Sequence, residues 1–126
     1  MARGSLLWLS SSIVLLVSTL LASTTGLPMT ISAESGIASV YAYAGELTAN
    51  GETALPNSLT AAHRTLPFGT LVRVTNDVTG DWVLVRINDR GPFVAGRIID
   101  LTPAGAQAIG SDGLAHVSLD IVGWSG

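Results

Sequence analysis

The segment Trp82-Val-Leu-Val-Arg-Ile-Asn-Asp-Arg-Gly-Pro-Phe93 decides how the chain is read. Side chains alternate across a strand, so Val83, Val85, Ile87 and Asp89 share one face. Three branched aliphatic residues followed by a carboxylate describe a buried face that runs out into a polar edge. Arg90-Gly91-Pro92 stops the strand there, because Pro cannot continue a ladder. Asp89 is therefore expected where buried lining meets an open mouth. Partial desolvation at such a place disfavours the anion, which suits a carboxyl that donates a proton near neutral pH. An Asp in this context can equally open a turn by accepting from the next backbone N–H groups. The strand pattern leaves both readings open.

Working outward, Thr70–Thr75 alternates, with Val72 and Val74 on one face and Leu71, Arg73 and Thr75 on the other. Asn76–Gly80 is a hairpin turn with Gly80 suited to a positive φ, and Asp81–Asn88 returns as the next strand. Ile37–Tyr43, Arg97–Leu101 and Leu114–Val122 read as further strands, and Ser58–His63 as a short one. Residues 44–58 hold Gly45, Asn50-Gly51 and Pro56, the chemistry of a long loop with turns. In Thr102-Pro103…Gly110, Thr102 fits a helix N-cap, Pro103 the first helical position and Gly110 the residue past the end. The pattern alone gives a mainly β domain, a small closed or nearly closed barrel with one short helix.

Composition narrows the chemistry. The chain has 126 residues, 48% hydrophobic and 12% charged, with a formal net charge of −3. That hydrophobicity excludes intrinsic disorder, and the acidic balance argues against a nucleic-acid partner. All six basic residues are Arg, so there is no Schiff-base or phosphate-loop lysine. No Cys is present, which excludes disulfides, thiolate nucleophiles, Cys-bound zinc and lipid attachment through Cys. With only His63 and His116, no His-rich metal site is expected, and an acid–base route through a carboxyl would need no cofactor. Residues 1–33 carry one charged side chain, Arg3, ahead of an apolar run from Leu6 to Ala22. That is the plan of a secretory signal peptide, with Ala33 suited to the last position before a cut, or else of an N-terminal anchor. The folded domain is then residues 34–126, exported to the periplasm, cell wall or medium. It meets a membrane only through an uncleaved leader.

The remaining polar candidates are weaker singly. His63 follows an alanine pair; it is either packed and satisfied or a donor to a carboxylate or sugar hydroxyl. Glu52 follows the Asn50-Gly51 turn, either solvated or reaching across the mouth. His116 alternates with Val117 and Leu119 and reads as structural. Asp100 is expected to help cap the helix or to pair with an Arg. Tyr41 and Tyr43 share a face and are either core or stacking surfaces. Trp82, on the face opposite Asp89, is expected to be packed or covered on the outer surface.

Together the motifs match a family. Gly36-Ile-Ala-Ser-Val-Tyr41, Leu47-Thr-Ala-Asn-Gly-Glu52, Leu59-Thr-Ala-Ala-His-Arg-Thr-Leu-Pro-Phe-Gly-Thr70, Val85-Arg-Ile-Asn-Asp-Arg-Gly-Pro-Phe93 and Gly96-Arg-Ile-Ile-Asp-Leu101 strongly resemble the rare-lipoprotein-A family of septal-ring lytic transglycosylases. The resemblance covers residues 36–122. It implies a six-stranded double-psi β-barrel acting on peptidoglycan glycan strands, with cleavage of the MurNAc–GlcNAc β-1,4 bond to give 1,6-anhydro ends. It carries Asp89, His63 and Glu52 over as catalytic residues. Asp89 would be the acid and then the base. His63 would orient it or bind substrate, and Glu52 would stabilise positive charge at the sugar. Tyr41, Asn50 and Arg90 are expected to contact substrate, and the domain to be a monomer. Two departures stand out: no Cys is available for lipidation, and Val40 stands where the family often has an aromatic.

Three rival readings remain at this point. An expansin-like module would bind or loosen the wall without cutting it. An inverting hydrolase would pair Asp89 with Glu52 at about 6.5–9.5 Å. An inert secreted barrel would serve as inhibitor or scaffold.

Overall fold

The computed structural model describes residues 34–41 and 44–126. The expected leader over residues 1–33 and the side chain of Tyr43 lie outside the described residues. Six strands and one helix follow in chain order: β1 (Glu34–Val40), β2 (Thr60–Ala62), β3 (Thr70–Asn76), β4 (Trp82–Asp89), β5 (Arg97–Leu101), α1 (Pro103–Ala108) and β6 (Ala115–Trp124). They close into a barrel in the order β1-β5-β2-β4-β3-β6, with β6 returning to β1. The pairs β1/β5 and β2/β4 are parallel and the remaining pairs antiparallel. This interleaved closure is the six-stranded double-psi β-barrel, and it leaves no free sheet edge.

The β3–β4 hairpin follows the expected register, with Val72 opposite Val85 and Val74 opposite Val83. Its turn is closed by Asn76, whose Oδ1 accepts from the Val78 and Thr79 amides, and by Gly80 at φ +80°. The inward set of β4, Val83, Val85 and Ile87, is buried against Val72, Val74, Ile99, Leu101, Ile109, Val117 and Leu119. Each such side chain contributes about 1.5–3 kcal/mol through removal from water. With no Cys in the chain, this lining and the closed ladder hold the domain.

Two boundaries move from the sequence reading. Strand β1 begins at Glu34 rather than Ile37, because Glu34–Ala38 already pairs with β6 from Leu119 to Ala115. The ladder, which needs only backbone groups, carries the polar Glu34-Ser35-Gly36 start. Gly36 is required there, since a Cβ would stand 2.7 Å from Ile98 Cγ2. Strand β2 shrinks to three residues. Helix α1 forms as read: Thr102 Oγ1 accepts from the Gly105 amide at 3.2 Å. The Gly110 and Ser111 amides close its C-terminus on Gln107 and Ala106.

Asp100 departs from its expected role. Thr102 already caps the helix, and Ser39 lies opposite Asp100 in the β1/β5 register. Asp100 therefore accepts from the Ser39 hydroxyl instead of capping or pairing with an arginine. Trp82 does face away from Asp89, but it is 56% exposed rather than covered by any of the described residues.

Candidate active site

Asp89 closes β4 and is 9% exposed. Its environment is built by three chain segments. From its own strand end, the Arg90 amide donates to Oδ1 at 2.8 Å. From the long loop, the Ala49 amide donates to the same oxygen at 2.9 Å. From the end of β1, the Tyr41 hydroxyl approaches Oδ2 at 3.4 Å. The geometry combines features of both readings of Asp89. Asp89 opens a turn through the Arg90 amide, and it stands at the edge of the apolar lining.

The segment Gly45–Ala54 is a small arm. Gly45 and Ala54 bond across it, Leu47 bridges Thr53, and the Thr48 amide donates to Glu52 O. Asn50 Oδ1 accepts from the Thr48 hydroxyl and the Glu52 amide, and its amide group donates to the Glu52 carboxylate. The Asn50 side chain therefore shapes the turn. Its backbone N–H docks the arm on Asn88 O at 3.2 Å, which explains why Asn88, on the outward parity of β4, is only 3% exposed.

Glu52 is held by Arg86 in a two-pronged ion pair, at 2.6 Å to Oε1 and 2.7 Å to Oε2. The Arg86 hydrogen bonds, and then that from Asn50, hold the Glu52 carboxyl well below its ordinary 4.5, at about 2. The same pairing raises Arg86. The Glu52 carboxylate is thus aimed at the outer face of β4, where Arg86 follows Trp82 and Leu84 in parity.

His63 is 6% exposed and next to Asp89 through its backbone: its amide donates to Asp89 O at 3.2 Å. Its ring points elsewhere. Nδ1 accepts from the Thr65 and Leu66 amides at 3.2 and 3.1 Å. A ring nitrogen accepting two N–H groups carries no proton, so Nε2 bears the hydrogen. Nε2 then donates to Glu34 Oε1 at 2.7 Å. Arg90 turns back under the same turn: Nη1 donates to the His63 and Leu66 carbonyls, and its guanidinium carbon lies 4.0 Å from the Phe68 ring centre. Arg64 reaches the other way, donating to the carbonyls of Pro92, Val94 and Arg97.

The structure therefore gathers Tyr41, the arm at Ala49–Asn50, and the backbones of His63 and Arg90 around Asp89. It directs the Glu52 carboxylate to Arg86 and the His63 ring to Glu34. The Tyr41 ring is 6% exposed, so its hydroxyl rather than its face meets the site. Sequence reasoning missed Glu34, Arg64, Arg86 and the Ala49 amide. Arg86 alone left a signal: it is the one cation on the outward face of β4, beside Trp82, Leu84 and Asn88, and so calls for a carboxylate partner. His116, read as structural, is exposed and lines a cavity with Ile37, Asn76 and Leu114.

Comparison with known proteins places this geometry. A family model described as lytic transglycolase matches residues 33–119. A probable endolytic peptidoglycan transglycosylase RlpA of Synechocystis sp. is 59% identical over 93 residues, covering 71% of this chain and 29% of that protein. The endolytic peptidoglycan transglycosylase RlpA of Campylobacter jejuni is 50% identical over 93 residues, covering 71% of this chain and 34% of that protein. The chain thus spans about a third of the length of these relatives. Among solved structures, the Streptomyces papain inhibitor superposes with a TM-score of 0.58 at 19% identity, covering 75% of this chain and 100% of that one; it shares the fold. With the match running from β1 into β6 and through every segment around Asp89, the chain belongs to the lytic transglycolase family, the RlpA-like double-psi β-barrels.

Proposed function

We propose that residues 34–126 form an exported endolytic peptidoglycan transglycosylase domain, and that residues 1–33 are its export leader. The relatives' names supply the reaction class. The observation that carries the assignment of the acid is the asymmetry of Asp89. Two backbone amides fix Oδ1 as an acceptor. A proton on this carboxyl therefore resides on Oδ2, beside the Tyr41 hydroxyl.

From there the reaction needs one group. Asp89 donates its proton to the bridging oxygen between MurNAc and GlcNAc as the C1–O bond breaks. The carboxylate then takes the proton of the MurNAc 6-hydroxyl as that oxygen closes on C1. The product is a 1,6-anhydro end and a free GlcNAc hydroxyl, no water is consumed, and Asp89 returns to its starting state. Such acid–base work contributes about 10²–10⁴-fold. Tyr41 orients Oδ2. Glu52 acts by holding the arm whose Ala49 amide anchors Oδ1, and His63 by holding the 63–66 turn. Asn50 and Arg90 face the substrate through the segments that they brace.

The test is product analysis by mass after incubating the purified protein with peptidoglycan and with amidase-stripped glycan. Anhydro ends are expected. Reducing ends would establish a hydrolase, and sedimentation on glycan without fragments a binding module of the expansin kind. Asp89→Asn keeps an oxygen for both amides, so it is expected to fold normally and to lose at least about 100-fold in release. Release at the parental rate would remove Asp89 from the chemistry.

A further inference from the structure

Phe93 is 78% exposed, although it lies only four residues beyond Asp89 in a loop that is otherwise firmly held. A phenyl ring has no polar edge that benefits from water, so a rigidly presented one is informative. Side-chain hydrogen bonds hold the loop backbone. Arg64 ties the carbonyls of Pro92, Val94 and Arg97 to one guanidinium, and Arg90 anchors the preceding turn.

The ring is also oriented. A Cβ built on Gly91 would lie 3.5 Å from Phe93 Cε2 and 3.7 Å from Cδ2. The ring thus leans back over Gly91, toward the strand end that carries Asp89. Gly91 itself stands at φ +118°, where a side chain is strained, so the seat beneath the ring stays open.

The other exposed aromatic rings among the described residues do not share this place. Trp82 is at the opposite end of β4, and Trp124 is tied to Phe68 O through its indole N–H. Tyr41, read from the sequence as either core or a stacking surface, presents only its hydroxyl.

We propose that Phe93 is a stacking platform for one pyranose ring of the glycan strand bound across Asp89. A β-1,4-linked hexosamine presents a face of axial C–H groups. Those hydrogens meet the negative face of an aromatic ring favourably, and the stack buries apolar surface on both partners. The inference rests on the transglycosylase reading for the identity of the glycan, and it adds a subsite to that reading.

Phe93→Ala is expected to raise KM for amidase-stripped glycan about three- to tenfold while leaving kcat within about twofold, since uniform binding is removed and the acid is untouched. Phe93→Trp is expected to restore KM. In the Asp89→Asn protein, the tetramer of β-1,4-linked N-acetylglucosamine should move the Phe93 ring protons upfield in NMR spectra, and Phe93→Ala should weaken its binding by the same factor. Phe93-dependent binding without anhydro products would keep the platform and overturn the transglycosylase. Anhydro products with an unchanged KM in Phe93→Ala would keep the enzyme and overturn the platform. Tetramer shifts confined to the Trp82 or Trp124 rings would also overturn it. So would loss of binding to apolar vesicles, rather than to sugar, on Phe93→Ala.

Discussion

Two walls flank Asp89, and both end on the same atom. The arm Gly45–Ala54 delivers the Ala49 amide to Oδ1, and the loop after β4 delivers the Arg90 amide. They are fastened by different chemistry. The loop is held by arginines on backbone carbonyls. The arm rests on two backbone N–H groups, those of Ala49 and Asn50, and on one side-chain ion pair, Glu52 with Arg86, whose side chains are 40% and 29% exposed. One wall is therefore scaffold. The other is an attachment that a single side chain or strong acid can loosen.

The largest effect should come from the scaffold side. Arg64→Ala removes three donors from the Pro92, Val94 and Arg97 carbonyls. Hydrogen bonds from a charged group contribute about 1.5–3 kcal/mol when sheltered. Partial exposure puts the expected loss near 2 kcal/mol, or about 10 °C in Tm for a domain of this size. Arg64→Lys should recover little, because an ammonium cannot reproduce the planar fork. Thermal unfolding of the two variants checks this, and a Lys variant as stable as the parent would show that charge alone fastens the loop.

The arm should respond more mildly. Glu52→Gln is expected to cost up to about 1 kcal/mol, the range for partly exposed pairs, with a several-fold loss in glycan release as the Ala49 amide wanders. Exchanging the partners, Glu52→Arg with Arg86→Glu, should restore most of that release if Glu52 works as a latch. It should restore none if the Glu52 carboxylate itself faces the sugar. The pH dependence follows in sign. The folded-state value of Glu52 is depressed from 4.5 to about 2. Its contribution is therefore complete above pH 4.5 and is lost as pH falls from there toward 2. The Tm difference between parent and Glu52→Gln should be constant at neutral pH and shrink across that acid window.

These walls also mark what could be read in advance. The barrel lining was legible because alternation writes burial directly into the sequence, as in Val83, Val85 and Ile87. The helix was legible because Thr102, Pro103 and Gly110 are each local solutions to a terminus. Asp89 was legible because an apolar face ended on it. The partners were not, because ion pairs and amide donors are set by the closure of the barrel. Glu34 meets His63 across 29 positions and Arg64 meets Arg97 across 33. The Ala49 donor has no side-chain signature at all. Glu52 was found but its partner Arg86 was not, since turn chemistry locates a side chain without saying which face of the barrel it crosses.

The smallest effect should lie beneath the scaffold wall. The 63–66 turn supports Arg90, whose Nη1 bonds the His63 and Leu66 carbonyls, and the His63 ring ties that turn to Glu34 at the start of β1. Glu34→Gln keeps an acceptor for Nε2–H, so it should change Tm by no more than about 2 °C, a few tenths of a kcal/mol. Glu34→Ala removes the acceptor from a buried donor and should cost about 1 kcal/mol, with glycan release falling about twofold. Nitrogen-15 chemical shifts should report His63 protonated at Nε2 in the parent and in Glu34→Gln alike. If Glu34→Gln abolishes release while Tm and tautomer stay as in the parent, Glu34 acts on the sugar itself, and the scaffold wall carries chemistry as well as support.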